Sequence, residues 1–78
     1  TNGSIVYAVP SKTAVELNIY DISGRLVRNF IHSEVNAGSH SVIWDRKDMN
    51  GTAVPQGVYI YNFITPAYRT TGKVSVIR

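Results

Sequence analysis

The chain has 78 residues, too few for a second hydrophobic core, so it reads as one small domain over residues 1–78. Hydrophobic residues make up 44%, which argues against disorder, and the lack of cysteine excludes a disulfide framework and any Cys-ligated zinc or redox site. Net charge is +3, but the basic residues stand singly except for Arg46-Lys47, so no nucleic-acid partner is expected. No apolar run approaches the ~20 residues of a membrane helix and no signal peptide is visible, so membrane insertion is not expected. The chain begins at Thr1 rather than Met and is expected to be a fragment cut from something longer.

Ser4-Ile5-Val6-Tyr7-Ala8-Val9 is the first strand candidate, stopped by Pro10. It is apolar on both faces, so alternation does not say which face is buried. Val15, Leu17 and Ile19 alternate with Glu16, Asn18 and Tyr20, a half-buried strand with its apolar side inward. Asp21-Ile22-Ser23-Gly24-Arg25 then turns the chain, with Gly24 in the left-handed position. Arg25 to Ile31 returns with imperfect alternation, which a bulge or an edge position would resolve.

Asn36-Ala37-Gly38-Ser39 reads as a loop, followed by a strand with Val42 and Trp44 inward. The stretch from Trp44 to Tyr61 organises the rest: a strand ending on a large aromatic, a long polar turn, then a second strand rich in Tyr and β-branched residues. Asn50-Gly51 predicts a type I′ turn, with φ above zero at both central residues. Asp45 and Asp48 can hold that turn by accepting from its backbone N–H groups. Tyr59, Tyr61 and Phe63 share one face of the second strand, and Val58, Ile60 and Ile64 the other, which suggests a central strand covered on both sides. Thr65-Pro66-Ala67-Tyr68 turns into a last strand from Thr71 to Arg78, with Val74 and Val76 inward.

No segment carries a 3.6-residue apolar period over a helical length, and no internal repeat or low-complexity segment is evident. Six short strands bounded by Gly, Pro, Asn or Ser predict an all-β fold, an antiparallel β-sandwich of six to seven strands. The core candidates are Val15, Leu17, Ile19, Val42, Trp44, Tyr59, Tyr61, Phe63, Val74 and Val76.

Two blocks carry a family resemblance. One is Tyr20-Asp21 with Gly24-Arg25, and the other joins Trp44-Asp45, Asn50-Gly51 and Pro55-Gln56-Gly57-Val58-Tyr59. Together with the first strand, they make nearly the whole chain resemble the FlgD-type immunoglobulin-like domain, named for the flagellar hook-capping protein. The chain is also similar to the C-terminal sorting domains of the type IX (Por) secretion system. The resemblance implies an immunoglobulin-like or fibronectin III-like sandwich without enzymatic activity or cofactor. It implies a C-terminal accessory module of a bacterial exported protein, secreted or at the cell surface. Its work there would be sorting, surface attachment or stabilisation of a neighbouring domain. The partners implied are that neighbouring domain, export machinery or cell-surface components. A flagellar hook-cap type assembly domain is the alternative within the same resemblance. Where the family usually has Gly after Trp-Asp, this chain has Arg46; where sorting domains often carry Pro-Asn-Pro, it has Val9-Pro10-Ser11.

Few residues suggest chemistry. Asp45, Asp48 and Asn50 ahead of Gly51 are weak calcium candidates, because alternating oxygen ligands before a Gly suit Ca²⁺, but the spacing is not an EF-hand and no Glu closes it. The competing expectation is that these groups cap the turn. Tyr20 and Tyr68 are the candidates for stacking on sugar rings, which would make the domain a carbohydrate-binding module of a secreted hydrolase. Lys73 and Arg78, on the last strand, are the candidates for an export address. His32, His40 and the serines fall in no catalytic pattern, so no enzyme activity is expected. Asn2-Gly3-Ser4 and Asn50-Gly51-Thr52 match the glycosylation acceptor pattern but read more economically as Asn-Gly turns.

Overall fold

Period-two alternation sets the inner face of each strand, and the sheets follow from which inner faces meet. The computed structural model describes residues 4–77. Its strands are β1 (Ser4–Val9), β2 (Thr13–Tyr20), β3 (Leu26–Val35), β4 (Gly38–Ile43), β5 (Gly57–Ile64) and β6 (Arg69–Val76). β1 and β4 form a two-stranded antiparallel sheet. β3, β2, β5 and β6 form a four-stranded antiparallel sheet in that order.

The core lies between the sheets. Val15, Leu17 and Ile19 of β2 meet Tyr59 and Phe63 of β5 and Ile5, Val9 and Val42 of the smaller sheet. Trp44 is fully buried just past β4, edge-on to Tyr59 at 5.3 Å, and its indole N–H donates to the Lys47 carbonyl. Val42, Trp44, Tyr59, Phe63 and Val76 are buried as expected. Tyr61 and Val74 are only half-buried at the flank, while Ile5, Val9, Val27 and Val54 complete the core.

Several expectations change. β4 and β5, the strands on either side of the long polar loop, lie in different sheets, so that loop crosses the sandwich. Gly38 opens β4 opposite Val9 instead of sitting in a loop. β3 runs on to Val35, and both explanations of its uneven alternation hold: it is an edge strand and carries a register shift opposite Ile19 and Tyr20. The shift lets Val27 turn inward, while Arg25 stays in the turn. β5 is central, but its outer face has no covering layer: Val58 is exposed, and Ile60 and Ile64 are half-buried by their neighbours.

Asn18, expected outward and solvated, is buried. Its register explains this. Asn29, Asn18, Asn62 and Thr71 lie directly opposite one another across the four strands. Asn29 Nδ2 donates to Asn18 Oδ1, Asn18 Nδ2 donates to Glu16 at 2.9 Å, and Thr71 donates to Asn62 at 3.2 Å. The Asn18 amide thus has a partner for both its oxygen and its nitrogen, so it can be buried at little cost.

Candidate functional site

One end of the sandwich is built from two turns of the same design. In the first, Asp21 Oδ1 accepts from the Ser23 N–H at 3.0 Å, the Ser23 hydroxyl at 2.6 Å and the Arg25 N–H at 3.0 Å. The Gly24 N–H donates to the Asp21 carbonyl, and the Asp21 N–H to the Arg25 carbonyl. In the second, Asp48 Oδ1 accepts from the N–H groups of Asn50 and Thr52 at 2.9 and 3.0 Å. The Gly51 N–H donates to the Asp48 carbonyl, and the Asp48 N–H to the Thr52 carbonyl.

In each turn the fourth residue is a glycine in the left-handed region, Gly24 at φ 92° and Gly51 at φ 81°. Asn50 does not share that conformation. The expected type I′ turn centred on Asn50-Gly51 is therefore replaced by an Asp48–Gly51 turn closed by Gly51, because the Asp48 carboxylate draws the backbone N–H groups around itself. The two turns are also a small internal repeat, where none was expected. The spacing Asp-x-x-Gly, at Asp21 and again at Asp48, was the sequence signal for it.

The turns flank a groove of about 550 Å³ whose wall includes Val54, Pro55 and Tyr59. The Tyr59 hydroxyl donates to the Pro55 carbonyl at 2.6 Å and fixes that wall. The second residue of each turn is a large apolar side chain held in solvent: Ile22 is 79% exposed and Met49 61%. Leu26, at the start of β3, adds a third. An apolar cluster at the rim of a groove marks a protein-docking surface more often than a catalytic one. The charge here is local: Arg25 Nε lies 3.4 Å from Asp21 Oδ2. The Ser23 hydroxyl bond, followed by the Arg25 N–H bond, holds the Asp21 carboxyl below its ordinary range.

The other candidates fall elsewhere. Asp45 Oδ1 accepts from the Lys47 N–H and from Arg28 at 3.0 Å, so the Asp45 and Asp48 carboxylates are engaged in shaping the loop, and Asn50 contributes its backbone N–H. Among the described residues no group of three His, Cys, Asp or Glu gathers to hold a metal. Tyr20 sits on the outer face of the large sheet, in one row with Leu26, Ile60 and Lys73. Tyr68 lies on the other side, ring to ring with the inward-facing Phe63, and its hydroxyl donates to the Ala8 carbonyl. The two tyrosines thus form no common platform. Lys73 is exposed on β6, while Arg78 and the Asn2-Gly3 pair lie outside the described residues.

A family model described as the FlgD Ig-like domain matches residues 1–63, which include both turns. The chain belongs to the FlgD immunoglobulin-like domain family. It is 44% identical over 45 residues to the basal-body rod modification protein FlgD of Salmonella typhimurium and to that of Salmonella typhi. That match covers 58% of this chain and 19% of either relative, so the chain spans about a fifth of their length. A crystal structure of FlgD from P. aeruginosa superposes with a TM-score of 0.74 at 29% identity, over 92% of this chain and 57% of that one. The immunoglobulin-like sandwich expected from the sequence is therefore the fold. Neither the family's description nor the relatives' names state a catalysed reaction.

Proposed function

We propose that this domain is the immunoglobulin-like module of a hook-cap type flagellar assembly protein, and that it acts by docking another protein rather than by catalysis. The flagellar names of its relatives favour this reading over an export address, a surface-attachment role or a carbohydrate-binding module. The observation that carries the docking role is the pair of matching turns presenting Ile22 and Met49 on either side of one groove. Asp21 and Asp48 fix each backbone by hydrogen bonds, so the apolar tips are pre-positioned and little entropy is lost on binding. The occupant would be a flagellar rod or hook subunit. A secreted or cell-surface location belongs to the same proposal.

The test is binding of the domain to purified rod and hook subunits, measured by biolayer interferometry. The Ile22→Asp/Met49→Asp variant should lose about tenfold or more in affinity, the scale of a hydrophobic anchor. Its thermal midpoint should hold, because both side chains are exposed. Failure of the parent domain to bind any of these subunits would overturn the proposal.

A further inference from the structure

Among the described residues β6 is an end strand of the large sheet, and β1 pairs only with β4. These two edges run side by side along one flank, where a cleft of about 330 Å³ is lined by Ile5, Val6, Tyr61, Lys73 and Val74. A smaller one of about 140 Å³ continues past Tyr68.

The hydrogen-bond phase of β6 follows from its hairpin. The Thr65 N–H donates to the Tyr68 carbonyl at 2.8 Å, which makes that pair hydrogen-bonded. Antiparallel pairs alternate, so Ile64–Arg69, Asn62–Thr71, Ile60–Lys73 and Val58–Ser75 are the non-hydrogen-bonded ones. The backbone N–H and C=O groups of Arg69, Thr71, Lys73 and Ser75 therefore point away from β5, to the open edge. Their side chains are exposed on the outer face.

Charge decides what fits there. All 5 acidic residues of the chain are engaged elsewhere: Asp21 with Arg25, Glu34 with Lys12, Asp45 with Arg28, Glu16 with Asn18, and Asp48 with its own turn. Among the described residues, Arg69 and Lys73 have no ion-pair partner. A second copy pairing along this edge would set these cations against their own kind.

We propose that β6 accepts an added strand from another protein, an extended segment in which acidic and apolar side chains alternate. Its acids, four residues apart, face Arg69 and Lys73, and its apolar side chains enter the cleft beside Tyr61 and Val74. Backbone bonds to the open edge supply affinity, and the alternating side chains supply selectivity. This inference uses no residue of the twin-turn groove and does not depend on the flagellar reading.

The probe is a fluorescein-labelled peptide, Val-Glu-Val-Thr-Val-Glu-Val, titrated with the whole chain and followed by anisotropy. Saturable binding is expected. It should weaken about tenfold or more when both Glu are replaced by Lys, and Arg69→Glu/Lys73→Glu should reverse that preference. Thr71→Pro should weaken binding similarly without unfolding the domain, since the backbone donor it removes serves no internal strand and the hydroxyl it also removes makes one exposed bond, to Asn62. A peptide N-methylated at alternate amides applies the same test with the domain unaltered. No saturable binding, or binding indifferent to N-methylation and to Thr71→Pro, would overturn the proposal.

Discussion

Arg46 has a φ of 63°, at the position where FlgD-type domains usually have Gly. The left-handed conformation costs an L-residue roughly 1–2 kcal/mol, part of which Gly gives back in unfolded-state entropy. Its carbonyl accepts from the Val54 N–H, so the backbone is held there, while its buried Nε has no hydrogen-bond partner. Arg46→Gly should raise stability by about 0.5–1 kcal/mol in urea unfolding. Gly72 gives the opposite case. A methyl group built there would overlap the Tyr61 ring, which lies across it from the facing position on β5. Gly72→Ala should cost about 1–3 kcal/mol, and the cost should vanish in a Tyr61→Ala background, a cycle that isolates the ring contact. Asp21 sets a pH dependence. Its folded pKa lies below the unfolded value, so its stabilising effect is present above the unfolded pKa and fades as pH falls through the folded one. Asp21→Asn should therefore be less stable than the parent at neutral pH, with the gap closing below about pH 4 in acid titrations.

At the scale of elements, the amide row across the large sheet is the least expected feature. It places polar groups in the middle of the outer face, between a row of Ile31, Glu16, Ile64 and Arg69 and a row of Leu26, Tyr20, Ile60 and Lys73. Asn18 is its most connected member. Asn18→Ala leaves Asn29 and Glu16 without their partner and should cost about 1–3 kcal/mol in urea unfolding. The row also fixes register, because a two-residue slip, which keeps every side chain on its own face, would set Asn18 against Ile60 or Ile64. The two Asp-x-x-Gly turns work differently. Each is shaped by bonds among five successive residues, so its form is local, but its function as half of a groove is not.

At the scale of the molecule, the sheets are joined at both flanks. Arg28 reaches Asp45 at 3.0 Å on one side, and Tyr68 reaches Ala8 at 3.1 Å on the other. The ion pair is partly exposed and contributes no more than about 1 kcal/mol, so the core between the sheets carries most of the stability. Trp44 is the centre of that core and the only tryptophan in the chain. Its emission should be blue-shifted in the folded state and report unfolding directly. β1 must find β4, and β2 must find β5, across two intervening strands each. Such non-local pairing predicts refolding on a scale of roughly milliseconds to seconds, measurable by stopped-flow fluorescence of Trp44.

The sequence by itself determined the all-β class, the inner face of β2, the inward Trp44 and the hold of Asp45 and Asp48 on the long loop. Each rests on residues within a few positions of one another, through period-two alternation or bonds from an Asp to nearby N–H groups. The resemblance carried by Tyr20-Asp21, Gly24-Arg25 and the Trp44 to Tyr59 block extended that to the immunoglobulin-like fold. Only the tertiary structure decided the rest. Alternation says which face of a strand is buried but not which strand lies beside it, so the separation of β4 from β5 was invisible. For the same reason Asn18 looked solvated until Asn29 and Asn62 stood on either side of it. Ile22 and Met49 lie in two turns far apart in the chain, and only the fold brings those turns to one groove. The open edge at Arg69 and Lys73 likewise exists only because the chain places β6 last in its sheet.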